Sequence, residues 1–414
     1  MALPREERRN RFRTLVLRQV DGSKEMDDED LRLLIENVIR ETCTKEEALS
    51  VRERRETKKD VFDSLRRLDV LQDYMEDASI TEIMVNGPDG IFYEKDGCLF
   101  QSGRRFYDRK RLEDVIQKIA AGVNRVINEA NPIVDARLED GSRVNAVLPP
   151  VSLSGPALTI RKFPKDRITM ERLIAMESIT PEAAEYLKVL VRSGYNIFVS
   201  GGTGVGKTTF LNVLSDFIPP NERIITIEDS AELQISNIPN LVRMEMRNAN
   251  MEGNHAVTIR DLIKTSLRMR PSRIIVGEVR DAASIDMLQS LNTGHNGMST
   301  GHANSPADML SRLETMVLLG EDIPLLAIRK QIASAIDIII QLSRLRDKTR
   351  RVTEIVEVTA CVNGEIELNP LFRFREEGED ENGRIIGRLG YLGRKLQKRG
   401  KLLAAGEGEC LPII

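Results

Sequence analysis

Gly201-Gly202-Thr203-Gly204-Val205-Gly206-Lys207-Thr208 places a lysine and a hydroxyl at the end of a glycine-rich run, a spacing suited to gripping phosphate. The glycines, Gly202, Gly204 and Gly206 among them, let backbone N–H groups curl around phosphate oxygens, with Thr203, Val205 and Thr209 completing the cradle. Lys207 supplies a point charge for the β and γ phosphates, and the Thr208 hydroxyl is placed to hold Mg2+. Residues 196–200, just before, read as a short buried strand. Residues 209–214, just after, read as a helix whose positive dipole end faces the loop. The expected ligand is ATP with Mg2+. The loop alone does not say what becomes of the phosphate, because kinases, helicases, GTPases and motors share it.

Hydrolysis needs a carboxylate to orient water, and Mg2+ needs acidic or water ligands. Two strand-like runs end in suitable acids: Arg223-Ile224-Ile225-Thr226-Ile227 before Glu228-Asp229, and Arg273-Ile274-Ile275-Val276-Gly277 before Glu278. Acids at the carboxyl ends of parallel strands lie beside the crevice where ligands bind. Glu228 and Glu278 are therefore the candidate catalytic groups, with their order of roles open. Two of the three histidines, His295 and His302, fall within residues 293–304. Their spacing and the lack of nearby cysteines argue against a zinc site. They read either as polar sensors of the γ phosphate or as hydrogen-bonded structural histidines. Guanidinium groups stabilise charge on a transferring phosphoryl group. Arg161, at the end of a strand just before a linker, is the leading candidate, with Arg143, Arg243, Arg247 and Arg280 behind it.

These residues need elements to hold them. From residue 196 the pattern alternates strand, loop and helix, which predicts an α/β domain with a largely parallel sheet over about 176–345. Upstream, residues 76–163 predict a compact α+β domain. Its strands include Ile83-Met84-Val85-Asn86, two hairpins turned at Lys95-Asp96-Gly97 and Asp140-Gly141-Ser142, and Leu158-Thr159-Ile160-Arg161. Residues 164–175 read as a linker. Residues 1–75 are highly charged and carry apolar stripes at helical spacing, Leu31, Leu34, Ile35, Val38 and Ile39 in one, Val61, Leu65, Leu68 and Leu71 in another. A charged helical module with modest packing is expected there. Residues 346–414 form a C-terminal extension with strands near 352–359 and no assigned fold; the sequence turns basic and glycine-rich after residue 383.

Composition limits the function classes. The chain has 414 residues, enough for two or three domains, with 61 basic and 64 acidic side chains and a net charge of −3. That balance gives no reason to expect bulk nucleic-acid binding, and the absence of tryptophan gives no stacking pattern. The four cysteines, Cys43, Cys98, Cys361 and Cys410, form no CxxC pair, which suits a reducing cytoplasm. Residues 1–20 lack the apolar core of a signal peptide, and residues 332–342 are too short to span a bilayer. Any attachment to a membrane is expected through partners.

In order along the chain stand the glycine loop, Thr226-Ile227-Glu228-Asp229-Ser230-Ala231-Glu232-Leu233, Leu267-Arg268-Met269-Arg270-Pro271, Ile275-Val276-Gly277-Glu278-Val279-Arg280-Asp281, and the histidine segment 293–304. Together they resemble the type II/type IV secretion ATPase superfamily, which calls these segments Walker A, Asp box, Walker B and His box. The upstream motifs Ile83-Met84-Val85-Asn86-Gly87, Val134-Asp135-Ala136-Arg137 and Asp140-Gly141-Ser142-Arg143-Val144-Asn145 resemble the CpaF-type ATPases of Tad/Flp pilus assembly. The resemblance covers roughly residues 75–345. It implies a RecA-like P-loop ATPase domain after a PAS-like α+β domain and a helical module. It further implies a homohexameric ring at the inner face of the cell membrane, docked on membrane platform proteins and hydrolysing ATP to move pilins. Lys207 and Thr208 would take phosphate and Mg2+, Glu228 and Glu278 catalysis, and His295 and His302 sensing.

Two departures stand out. The four-cysteine zinc module of one branch is missing, and the usual Arg-Pro-Asp reads Arg270-Pro271-Ser272. Other readings of the same core are a conjugation or effector-secretion ATPase, a nucleic-acid translocase, and a scaffold that binds ATP without hydrolysing it. Intact Glu228 and Glu278 count against the last.

Overall fold

Three helices open the chain: α1 (Arg5–Gln19), α2 (Asp28–Thr42) and α3 (Val51–Arg66), the second and third with side-chain caps. The Asp27 side chain accepts from the N–H groups of Glu29 and Asp30, and Ser50 with Glu53 forms a reciprocal cap on α3. Leu31, Ile35, Val38 and Ile39 of α2 meet Phe12 and Val16 of α1 and Val61 and Phe62 of α3. The computed structural model describes residues 4–20, 26–43, 49–95, 97–163, 167–247 and 256–408. His255, Cys410 and Asp96 of the expected hairpin turn lie outside them. The chain divides into two compact units, residues 1–166 and 167–414.

In the first unit a short helix α4 (Gln72–Glu76) leads into β1 (Ile80–Asn86), β2 (Ile91–Lys95) and β3 (Cys98–Gln101), then helix α5 (Arg109–Gly122), then β4 (Ile133–Arg137), β5 (Arg143–Val147) and β6 (Ala157–Arg161). Among the described residues these strands form one antiparallel sheet in the order β3-β2-β1-β6-β5-β4. Its inward positions Ile83, Val85, Val144, Leu158 and Ile160 pack with Leu112, Ile116 and Ile119 of α5. Val70 and Leu71, on the helical side of the expected boundary at 75, belong to this same core. Buried ions bind the two parts further. Arg9 meets Asp69 at 3.0 Å, and Arg111 of α5 donates to Asp69 at 2.7 Å and to the Ser64 carbonyl. The helical module thus packs as part of the first unit, with charged groups buried where a solvated surface was expected.

The second unit begins with α6 (Met170–Ala175), capped by the Thr169 hydroxyl, and α7 (Pro181–Arg192). Residues 164–166 of the expected linker lie outside the described residues, and its later part is α6. Then come β7 (Ile197–Gly201), α8 (Lys207–Ser215), β8 (Ile224–Glu228), β9 (Leu241–Glu245), α9 (Ile259–Ser266), β10 (Arg273–Val276), α10 (Ala283–Asn292), β11 (Asn296–Gly301), α11 (Pro306–Leu318) and α12 (Leu325–Ala335). The unit ends with β12 (Ile338–Arg344), β13 (Arg350–Val362), β14 (Glu365–Glu379), β15 (Ile385–Tyr391) and α13 (Gly400–Ala404). Among the described residues nine strands form one sheet, ordered β15-β14-β13-β12-β7-β11-β10-β8-β9. From β12 to β9 every pairing is parallel, and β13 to β15 add antiparallel hairpins. The apolar strands β7, β8 and β10 are buried along their length, as strands covered on both faces must be.

The region expected as a separate extension continues this sheet. Arg344 and Arg350 are partners across the β12–β13 turn, so the boundary expected at 345 falls inside a hairpin. Glu357, fully buried on β13, ties down the segment after β15: its carboxylate accepts from the N–H groups of Gln397 (3.0 Å) and Lys398 (2.7 Å) and from Asn369 Nδ2 (2.8 Å). Glu357→Ala strands these donors and is expected to cost about 2–4 kcal/mol in urea unfolding. The loss should come with faster proteolysis after Tyr391; unchanged stability and cleavage would show that the segment holds itself. No helix among the described residues is long and apolar enough to cross a membrane.

Candidate functional site

Five buried residues of β7 deliver the chain into the glycine loop, and α8 begins at Lys207. Gly204 (φ +72°) and Gly206 (φ +91°) take left-handed backbone that side-chain-bearing residues avoid. Gly201 is needed for space: a Cβ there would lie 2.5 Å from the Leu342 carbonyl oxygen on β12 and 2.8 Å from Val205. The loop is therefore held against its neighbouring strand, and Val205 is buried beneath it.

Lys207 is 7% exposed, and its Nζ donates to the Gly202 carbonyl (2.8 Å) and to His302 Nδ1 (3.1 Å). An ammonium has three hydrogens and accepts nothing, so one donor is left for a phosphate oxygen and His302 Nδ1 must be an acceptor. The imidazole proton then sits on Nε2, which faces Glu278 Oε1 at 2.9 Å. Burial and the Lys207 charge push His302 below the usual histidine range, which favours this neutral tautomer. Burial likewise lowers Lys207, opposed by Glu278.

Glu278 follows β10 at its carboxyl end. Burial works to raise its carboxyl, but the Arg280 hydrogen bond and the charges of Arg280, His302 and Lys207 prevail, and it lies below the usual range. Arg280 donates to Glu278 Oε2 (2.7 Å) and meets Asp229 Oδ2 (3.1 Å). The Thr300 hydroxyl donates to the Gly277 carbonyl (2.7 Å), which fixes β11, and so His302, against the Glu278 turn. A line of close polar contacts thus runs from Lys207 through His302, Glu278 and Arg280 to Asp229.

Glu228, 2% exposed, ends β8 beside this line. Its Oε2 accepts from the N–H groups of Glu232 (2.7 Å) and Leu233 (2.8 Å), while its buried Oε1 has no partner among the described residues. Burial raises this carboxyl to about 6, against the two N–H groups that pull it down. A Cβ at position 277 would lie 3.0 Å from Glu228 Cγ, so the glycine before Glu278 makes room for the second carboxylate. The orphaned oxygen, the spare lysine donor and the positive-φ glycines are what a bound nucleotide with its magnesium would use, and the residues present fit that ligand.

Other candidates fall elsewhere. His295 precedes β11 and His302 follows it, so the six residues of that strand, roughly 20 Å, separate them. His295 is hydrogen-bonded near the Ser290 carbonyl (3.3 Å) at the far end of the sheet from the loop. The structure brings only His302 to Lys207, and the two histidines cannot share a metal ion within one chain. Arg247, just past the edge strand β9, pairs through its backbone with Val257. In the first unit Arg161 and Arg143 are direct partners across β6 and β5, with Glu82 on one side and Arg137 on the other. Sequence reading did not single out Arg137. It is half-buried at the end of β4, and the strand order sets the three arginines in a row.

The loop region has one more contributor that sequence reading missed: Arg350, whose Nε donates to the Gly204 carbonyl at 2.9 Å. The family profile described as "Type II/IV secretion system protein" matches residues 66–387. A putative conjugal transfer protein of Mycobacterium tuberculosis is 36% identical over 293 residues, covering 69% of this chain and 83% of that protein. The type IV secretion system protein PtlH of Bordetella pertussis is 32% identical over 317 residues, covering 70% of this chain and 93% of that one. The crystal structure of the pilus retraction motor PilT with bound ADP shares the fold, with a TM-score of 0.52 at 19% identity over 83% of this chain and 88% of that one.

Proposed function

The chain belongs to the type II/IV secretion system protein family and is an ATP-hydrolysing enzyme, and from that premise we propose that it works as a homohexameric motor for assembling a Tad/Flp-type pilus. The observation that carries the enzymatic part is the polar line from the loop lysine to two strand-end acids. A loop built only to hold nucleotide would not need Glu278 wired to Lys207 through a neutral histidine.

Each residue of the site has its own share of the work. Backbone N–H groups of residues 202–209 and Lys207 Nζ bind the phosphates. Mg2+ arriving with the nucleotide would neutralise phosphate charge, with the Thr208 hydroxyl as its protein ligand and Glu228 or Glu278 acting through water. Glu278, the carboxylate whose charge is felt by Lys207, orients the attacking water. Glu228 offers Oε1 as a second proton acceptor. His302 reports the position of Lys207 to Glu278. Arg280 keeps Glu278 ionised and aimed. We assign charge stabilisation during transfer to Arg161 and Arg143, which stand in one row with Arg137 across β6, β5 and β4. His295 and Arg247 carry no proposed contact with phosphate.

The pilus reading rests on the upstream motifs around Asn86, Arg137 and Arg143. A second reading, motor for conjugation or protein secretion, is favoured by the names of the relatives, a conjugal transfer protein and a type IV secretion protein. One experiment separates them. Cells carrying Lys207→Ala are expected to lose surface pili while plasmid transfer and protein export continue. Intact pili with transfer lost would replace the first reading by the second. Purified chain is expected to show the mass of a hexamer with ATP; a monomer under all nucleotide conditions would remove the ring.

A further inference from the structure

We propose that Arg350 is a positioning residue for nucleotide, clamping the tip of the phosphate loop to the β12–β13 hairpin so that the cradle is ready before ATP arrives. This rests on the enzymatic reading above and adds to it a residue outside every motif of the active site.

Two contacts define the clamp. Arg350 Nε donates to the Gly204 carbonyl, and the Arg350 Cδ lies 3.8 Å from where a Cβ of Gly206 would stand. The side chain therefore spans both left-handed glycines that flank Val205. A loop that turns its N–H groups inward toward phosphate turns carbonyls outward, and an outward carbonyl left to water lets the loop relax. A guanidinium on that carbonyl holds the inward-facing donors in place, and preorganisation of this kind lowers the cost of binding.

The hairpin presenting Arg350 is itself pinned. Arg344 pairs with Arg350, and Leu342 pairs with Gly201, so the same strand that touches the start of the loop turns back to touch its tip. Asp347 in the turn accepts from the Thr349 N–H (3.0 Å) and hydroxyl (2.6 Å) and from the Ile385 N–H (2.8 Å). The next residue, Arg351, is 2% exposed and donates to the Ile385 carbonyl (2.9 Å) and to Glu177 (3.1 Å). Alternation along β13 buries Arg351 and leaves Arg350 on the loop side. The clamp thus ties the loop to β15 through two short steps.

The test measures binding of a non-hydrolysable ATP analogue and steady-state hydrolysis in the full-length protein. Arg350→Ala is expected to weaken analogue binding about tenfold, the worth of one charge-assisted hydrogen bond, and to raise KM with it while kcat at saturation stays within about twofold. Arg350→Lys, whose Nζ can reach the same carbonyl, should recover at least half of the loss on a logarithmic scale. Arg346→Ala, on the same turn but bonded to Glu376 and Glu379, should bind as wild type does. Equal binding by wild type and Arg350→Ala overturns the proposal, as does a loss confined to kcat or an equal loss in Arg346→Ala. Failure of the enzymatic reading looks different: wild type itself would release no phosphate, whether or not it binds the analogue.

Discussion

Glu278→Gln is expected to slow phosphate release about a thousandfold while ATP binds at least as tightly as to wild type. The two halves of this result have separate causes. Glutamine keeps the shape and an oxygen acceptor for His302 Nε2, so the line from Lys207 survives. It loses the charge that orients and polarises the attacking water, a contribution of about two to four powers of ten where a positioned carboxylate does this work. It also removes a negative charge facing the phosphates, and that favours binding. Lys207→Ala should do the reverse, weakening ATP binding about a hundredfold or more because the buried ammonium is the loop's only side-chain charge. Single-turnover hydrolysis and analogue binding on both variants decide the matter. A Glu278→Gln enzyme that hydrolyses within tenfold of wild type would move the water-orienting role elsewhere, with Glu228 the next candidate.

The phosphate loop was legible because every feature it needs is local. An apolar strand, glycines and a helix start succeed one another within about twenty residues, and local pattern is what sequence states well. Glu228 and Glu278 were legible for a related reason: each closes an apolar run, and strand ends of a parallel sheet gather on one edge. The separation of His295 from His302 was not legible because residues 296–301 were not read as a strand. With Gly297 and Gly301 in it, that stretch lacks the β-branched density of its neighbours, yet Gly297 and Gly301 are there because Leu291 and Met309 crowd them. Packing against helices, not intrinsic preference, makes β11 a strand. Arg350 was illegible on different grounds. Its partner Gly204 is 146 residues away, and only the antiparallel return of β13 beside β12 brings them together. The tail was opaque because β14 alternates charged with apolar residues near a sheet edge, which reads as solvated chain until Glu357 and Asn369 are seen facing each other inside it. The helical module was underestimated since Arg9 is buried against Asp69 and Arg5 reaches the buried Asp60, pairings that composition cannot show.

Glu228→Gln should separate stability from catalysis by its dependence on pH. Burial raises the Glu228 carboxyl from an ordinary 4.5 to about 6. Between those values the folded chain keeps a proton that the unfolded chain has released, so folding stability falls as pH rises through the window. Below 4.5 both states are protonated and the cost vanishes; above 6 it is fully present, at about 2 kcal/mol for a shift of this size. Glutamine never ionises. Its Oε1 can accept the Glu232 and Leu233 N–H groups in place of the carboxylate, and whatever fixed cost its amide carries does not change with pH. The stability of the variant relative to wild type should therefore rise by about 2 kcal/mol from the acid to the neutral side of that window, read by urea unfolding at a series of pH values. Hydrolysis should move the other way. Wild-type kcat should fall as pH drops through about 6, because protonation removes the acceptor on Oε1, and Glu228→Gln should show a rate about a hundredfold lower with that limb gone. A stability difference flat with pH would mean that Glu228 is not strained by burial. An acid limb that survives in the variant would assign it to another group and leave Glu228 as a structural carboxylate that holds residues 232 and 233. The combination of a gain in folding with a loss in rate is the expected mark of a charge kept buried for its chemistry, since nothing in the packing around Gly277 requires that it be ionised.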